Sequence, residues 1–172
     1  MRKDRINLLI LIMIAVFSLF IIVPSYSADH PYGTVSKYDI VTTAERAGTF
    51  NTLVAAIKAA GLEDLMREQN SYTVFAPTDE AFANLPPGTV EELLLPENRE
   101  KLQSILTYHV VIERRIISPM LKGVHELKTV NGKMLDVWYS ADRVLIDKAK
   151  VVQPDITTKN GMIHVIDMVL LP

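Results

Sequence analysis

The four histidines are the side chains best suited to bind a metal or to move a proton near neutral pH. They are His30, His109, His125 and His164, and each falls in a different part of the chain. A metal site built from them would need three distant segments to converge, and the short H-E-x-x-H spacing of a zinc site is absent. We therefore predict no metal site and no cofactor.

Patterns that position a catalytic nucleophile or a phosphate group are also missing. The sequence has no cysteine, no G-x-S-x-G, no phosphate-binding P-loop and no G-x-G-x-x-G. The carboxylate pairs at positions 63–64 and 91–92 lie on predicted helices, where adjacent residues point to different sides. The sequence therefore predicts no catalytic residues and no enzyme. A small exported hydrolase or ligand carrier, with a pocket formed only in three dimensions, is the alternative.

The first half of the chain, from residue 39 to about residue 107, has the apolar spacing of helices. Apolar side chains recur at i, i+3, i+4 and i+7 in two sets, which are Phe50, Leu53, Val54, Ile57 and Leu102, Ile105, Leu106, His109. We expect the first set to share one core with Val74 and Phe75, which lie on a predicted strand over residues 72–76. The second set predicts that His109 points inward.

The second half of the chain has the patterns of strands. Residues 124–130 and 134–139 flank Asn131-Gly132, which is a strong signal for a β-hairpin. Further strands are predicted over residues 144–146, 151–153 and 164–170. Trp138 and Tyr139 alternate on one strand, so we expect one of them to face the core. Helices followed by strands predict an α+β fold.

The N-terminus has the pattern of an export signal. Of 172 residues, 49% are hydrophobic, and residues 6–23 carry no charge after a basic start. Residues 1–28 are therefore predicted to be a signal peptide, cleaved after Ser27, or an uncleaved signal anchor. Residues 29–37 form a short polar lead-in, and residues 38–172 form the domain. Either way we predict an exported location: secreted, periplasmic or cell-surface.

The charge balance limits the classes of partner. The whole chain has a net charge of −2, and the leader with Arg2, Lys3, Arg5 and Asp4 contributes +2, so the remainder carries −4. An acidic domain lacks the basic surface that nucleic-acid binding needs, and we predict no nucleic-acid partner. Contact with a membrane is expected only if the N-terminal segment stays as an anchor.

Three motifs in one order resemble the fasciclin domain family, a family of adhesion-type domains. Residues 73–82, TVFAPTDEAF, resemble its first signature box, and residues 106–110, LTYHV, resemble its tyrosine–histidine motif. Residues 160–167, NGMIHVID, resemble its second box. The resemblance covers about residues 38–172, and it implies a β-wedge or sandwich with several helices from the N-terminal half packed against it.

The resemblance also assigns roles to particular residues. Some animal members of the family contact integrins through a tyrosine–histidine segment, here Tyr108-His109, and through a tetrapeptide that contains Asp-Ile, here residues 153–156 with Asp155 and Ile156. These four residues are the candidate contacts to a partner. The boxes themselves are mainly structural, and their polar signature residues are Thr78, Asp79, His164 and Asp167.

Periodicity and resemblance make different predictions for the tyrosine–histidine motif. A buried His109 needs a hydrogen-bond partner, and we expect a carboxylate or a carbonyl of the closing strand, with Asp167 as the best candidate. Tyr108 would then point the opposite way and meet a ligand. The predicted function is an exported non-catalytic binding module for adhesion or matrix association, with an extracellular protein or polysaccharide as partner. A single domain offers one site, so adhesion needs a homo-oligomer, a membrane anchor or many copies on a surface.

Overall fold

A computed structural model describes residues 36–172, except residues 69–70, 113 and 141–142. The predicted export signal over residues 1–28, and all but the last two residues of the lead-in, lie outside the described residues. Among the helices of the described part, none is long and apolar enough to cross a membrane.

Six α-helices form the N-terminal part of the described fold. They are α1 (Ile40–Ala47), α2 (Asn51–Ala60), α3 (Glu63–Arg67), α4 (Asp79–Ala83), α5 (Thr89–Leu93) and α6 (Arg99–Tyr108). Helices α1 and α2 end at Gly48 and Gly61, which adopt positive φ angles of 72° and 67° that a residue with a side chain rarely takes. The two apolar stripes read from the sequence lie on α2 and α6, as predicted.

Seven strands form one sheet in the order β2-β1-β7-β6-β5-β4-β3. The strands are β1 (Tyr72–Pro77), β2 (Val110–Val111), β3 (Glu126–Lys128), β4 (Met134–Ser140), β5 (Arg143–Ile146), β6 (Ala149–Thr157) and β7 (Gly161–Ile166). Among the described strands, only β1 and β7 pair in parallel. The outer strands approach each other, since Val111 bridges Thr129 just beyond β3, and the sheet is therefore nearly closed. The predicted α+β class is confirmed.

Two apolar cores lie on opposite faces of the central strands. Helices α1, α2 and α6 pack on one face, where Leu53 and Val54 share a core with Val74. Phe75 points to the other face and joins Leu135 and Ile146 in a core between strands. The prediction that Phe75 shares the core of the α2 stripe is therefore wrong, because adjacent residues of a strand point to opposite faces.

Three further sequence predictions differ from the structure. The strand predicted over residues 164–170 ends at Ile166, and the one predicted over 124–130 is limited to Glu126–Lys128. Trp138 and Tyr139 are both exposed, by 64% and 37%, although one was expected to face the core. Trp138 lies on the outward face of β4, while Tyr139 lies on the inward side at the end of the strand, where the core ends.

Candidate functional site

Thr78 and Asp79 of the first box cap two different helices. The hydroxyl of Thr78 accepts a hydrogen bond from the N–H of Ala81 at 3.2 Å and so begins α4. The carboxylate of Asp79 accepts the N–H groups of Thr52 at 2.7 Å and Asn51 at 3.2 Å, at the start of α2. Burial opposes ionisation of Asp79, but these hydrogen bonds outweigh it and lower the pKa of the carboxyl. Both residues thus serve the fold.

His109 is enclosed by backbone groups. The side chain is buried, and its Nδ1 donates to the carbonyl oxygen of Ile105 at 2.8 Å. Its Nε2 accepts the N–H of Leu170 at 3.0 Å. Because one nitrogen donates and the other accepts, the ring is neutral, and burial lowers its pKa from 6.5 to about 4.

The inward direction predicted for His109 is thus confirmed, but the predicted partner is wrong. Asp167 lies one residue beyond β7, and its carboxylate accepts the N–H of Lys150 at 2.8 Å instead. The backbone N–H of Asp167 also bonds to Lys150 of β6, so this residue faces β6, and backbone groups of α6 and of the C-terminal segment take the place of a carboxylate at His109. No ring nitrogen of His109 is left for a partner molecule.

The second box and the predicted contact tetrapeptide are joined through His164. The ring of His164 is fully buried and stacks on Phe75, with centroids 5.5 Å apart. Its Nε2 lies 2.7 Å from the carbonyl oxygen of Ile116, and its Nδ1 accepts the N–H of Asp155 at 3.3 Å. Burial lowers the pKa of this histidine too. His164 therefore links β7 to β6 and to the segment before β3.

Asp155, a predicted partner contact, makes internal hydrogen bonds. Its backbone adopts a positive φ of 63° at an irregularity in the pairing of β6 with β7. Its carboxylate accepts both the N–H of Ser118, at 2.7 Å, and the hydroxyl of the same residue. Ile156 is half-buried against the core that holds the helices. The carboxylate therefore holds a connecting segment in place and is not free in this structure.

Tyr108 differs from these residues because its hydroxyl reaches a surface groove. The residue ends α6, its ring is buried, and its hydroxyl lies 2.9 Å from Asp147 Oδ2 and 3.0 Å from the carbonyl oxygen of Met134. Asp147 Oδ1 also accepts the N–H of Asp136 at 2.8 Å. Burial, the hydrogen bond to Asp147 and the charges of Asp147 and Asp136 raise the pKa of Tyr108 to about 12.

The groove above Tyr108 has a volume of about 710 Å³. Its walls come from β4, from the turn between β5 and β6, and from the C-terminal segment after β7. Four of its side chains are large, apolar and between 45% and 64% exposed: Met134, Trp138, Met168 and Leu171. Such a cluster of exposed apolar side chains is typical of an interaction site. We call this groove, with Tyr108 at its floor, the Tyr108 groove.

The structure separates the four predicted contact residues. Only Tyr108 lines the groove, while His109 is enclosed and Asp155 and Ile156 lie elsewhere. The groove residues that sequence reasoning missed include Asp136, Asp147 and Met168. Asn160 opens the second box, but the sequence assigns it no contact. In the structure its buried amide accepts the N–H of Ile40 and donates to two backbone carbonyls at the end of α3.

The described side chains that line the groove include no serine, threonine, cysteine or histidine. Its titratable side chains are Tyr108, Asp136, Asp147 and Lys148, and no histidine lines it. A raised tyrosine pKa is the opposite of what a general base requires. Within the described residues, no three histidine, aspartate or glutamate side chains are grouped so that they could hold a metal ion.

A family profile described as "Fasciclin domain" matches residues 48–172, which is most of the chain. This chain belongs to the fasciclin domain family. Protein sll1483 of Synechocystis sp. is 47% identical over 139 residues, which cover 81% of this chain and 76% of that protein. The cell surface glycolipoprotein MPB83 of Mycobacterium bovis is 31% identical over 157 residues, which cover 86% of this chain and 69% of that protein.

The fold agrees with the family. A FAS1 domain pair from the insect cell adhesion molecule fasciclin I superposes with a TM-score of 0.71 at 23% identity. The match covers 80% of this chain and 52% of that chain. The fasciclin-like wedge predicted from the three motifs is therefore confirmed.

Proposed function

We propose that this fasciclin-domain protein is an exported, non-catalytic binding module for adhesion or matrix association, and that the Tyr108 groove is its contact surface. The observation that carries the proposal is the set of four exposed apolar side chains around a polar floor. Burying them against a partner would gain roughly 25 cal/mol for each Å² of apolar surface removed from water.

Four of the ten large apolar side chains that are exposed among the described residues line this one groove. Leu145 of β5 lies opposite Trp138 in the strand pairing and is also exposed, so the apolar surface continues beyond the groove. Exposed apolar side chains that have no binding role are normally scattered singly over a surface. Their concentration around one groove supports a binding role for it.

The relatives support a location outside the cytoplasm. One is described as a cell surface glycolipoprotein, and a protein of the same fold is described as a cell adhesion molecule. We propose that residues 1–28 direct export and that residues 38–172 form the binding domain. N-terminal sequencing of the mature protein, with a start at Ala28 expected, tests the cleaved form, whereas a retained Met1 would support the anchor.

The hydrolase alternative has less support. The described walls of the groove combine apolar side chains with two aspartates, and the two histidines of the motifs are enclosed away from it. A hydrolase would need a nucleophile or an activated water beside a suitable base. We therefore favour binding without catalysis.

Removal of the Trp138 side chain tests the proposal. Protein expressed from the full sequence is incubated with isolated cell envelopes of the organism that encodes it, and the bound fraction is measured. We expect Trp138→Ala to lower the bound fraction several-fold. Leu95→Ala is the matched control, because Leu95 is 45% exposed but lies outside the groove. Equal binding by Trp138→Ala and the parent protein would overturn the proposal.

A further inference from the structure

We infer that the Tyr108 groove accommodates a basic side chain, arginine or lysine, flanked by apolar residues on a partner protein. The inference rests on the proposed function, because it names the chemistry of the partner for the same groove. It follows from the separation of the groove into an acceptor-rich floor and apolar walls.

The floor presents hydrogen-bond acceptors. The Tyr108 hydroxyl has a single proton, which it donates either to Asp147 Oδ2 or to the Met134 carbonyl, so its lone pairs remain available to a ligand. The Asp136 carboxylate is exposed and makes no hydrogen bond or ion pair with any described side chain. A ligand that fits this floor must be rich in donors, and a positive charge would complement the two carboxylates.

The walls match the stem of a long basic side chain. Trp138 and Met134 stand on the outward face of β4, and Met168 and Leu171 face them from the C-terminal segment. Arginine and lysine carry an apolar stem that packs on such surfaces while the charged end reaches polar groups. The Trp138 ring can also attract the cation directly. Methionine side chains adapt to the neighbouring apolar residues of a peptide.

A polysaccharide fits this groove less well. Sugar hydroxyl groups both donate and accept, so a sugar site supplies donors as well as acceptors. The one charged donor among the described side chains of the groove is Lys148. Lys148 is exposed, forms no ion pair within 4.0 Å in the described part of the chain, and competes with an incoming cation. Its removal should therefore tighten the binding of a basic peptide.

A fluorescence titration tests the inference directly, because Trp138 is the single tryptophan of the whole sequence. Protein expressed from the full sequence is titrated with N-acetyl-Leu-Arg-Leu-amide. The matched peptide replaces arginine with citrulline, which keeps the shape and removes the charge. We expect a saturable change in Trp138 emission with the arginine peptide, and binding at least about tenfold weaker with citrulline, as for the loss of a charge-assisted hydrogen bond.

Variants identify the groups responsible. Asp136→Asn should lower the affinity for the arginine peptide several-fold and leave the affinity for the citrulline peptide unchanged. Lys148→Ala should raise the affinity for the arginine peptide. Glu97→Gln removes an exposed carboxylate outside the groove and should have no effect. Increasing salt should weaken the binding of the arginine peptide but not that of the citrulline peptide, because salt screens exposed charges.

The outcomes separate this inference from the proposed function. Equal affinity for both peptides, or no saturable change with either, overturns the inference. If a neutral glycan from the envelope changes Trp138 emission instead, the inference fails while the groove remains the contact surface. If Trp138→Ala binds envelopes like the parent protein, the proposed function fails as well.

Discussion

At the scale of single residues, the buried polar side chains of the signature motifs satisfy backbone groups. His109 and His164 are both neutral, and each accepts one backbone N–H through a ring nitrogen. An unsatisfied buried polar group costs about 1–3 kcal/mol, so these hydrogen bonds restrict the rings to one tautomer and one position. These motif residues therefore stabilise the fold, and of the tyrosine–histidine pair only Tyr108 reaches the surface groove.

The enclosure of His109 predicts a loss of stability in acid. Burial lowers the pKa of His109 to about 4, below the ordinary 6.5 that the unfolded chain retains. Between these values the unfolded chain binds a proton that the folded chain excludes, so the free energy of unfolding decreases as the pH falls. The decrease for one such group is about 3 kcal/mol over this window, at about 1.4 kcal/mol for each unit of pKa.

Denaturant unfolding at pH 6.5 and at about pH 4 measures this loss. His109→Gln is the informative variant, because glutamine offers a donor and an acceptor but does not titrate. Its pH dependence should be shallower than that of the parent protein, with the remaining slope due partly to His164, whose pKa is lowered in the same direction. An unchanged slope would show that His109 is not the group that titrates.

At the scale of elements, helices α2 and α4 are joined by one side chain. Asp79 belongs to α4 but accepts the first N–H groups of α2, which have no partner within their own helix. Because α2 carries the apolar stripe of one core, a defect in its cap should affect the whole fold. The link explains why an aspartate follows the strand and Thr78 in the first box.

Asp79→Ala should lower the free energy of unfolding by about 1 kcal/mol, the usual cost of losing a cap. Glu80→Ala is the matched control, since Glu80 is the next residue, is exposed, and its carboxylate forms no ion pair with a described residue. Its effect should stay within about 0.5 kcal/mol, as for most surface sites. Thermal or denaturant unfolding of both variants makes the comparison, and equal costs would contradict the capping role.

At the scale of the whole molecule, periodicity and turn signals predict most of the architecture. The stripe from Phe50 to Ile57 identifies α2, and Asn131-Gly132 identifies the β3–β4 hairpin. Strand alternation predicts which residues share a face, but it does not show where a core ends. That is why the exposure of both Trp138 and Tyr139 was not foreseen.

The groove could not be predicted for a related reason. Tyr108, Trp138, Asp147 and Met168 come from four separate segments that meet only in the nearly closed sheet. No local pattern marks Met168 or Asp147 as neighbours of Tyr108. The tyrosine–histidine motif identified one residue of the groove, but it did not show that the adjacent histidine is directed into the interior.

Comparing Trp138→Ala with Asp155→Asn shows whether partners bind at the Tyr108 groove or at the Asp155 segment. Binding to the same cell envelopes is measured at equal concentrations of folded protein, so that a loss of stability is not counted as a loss of binding. We expect that Trp138→Ala loses most of its binding and that Asp155→Asn, although less stable, binds like the parent protein. Loss of binding in Asp155→Asn together with normal binding by Trp138→Ala would contradict this expectation.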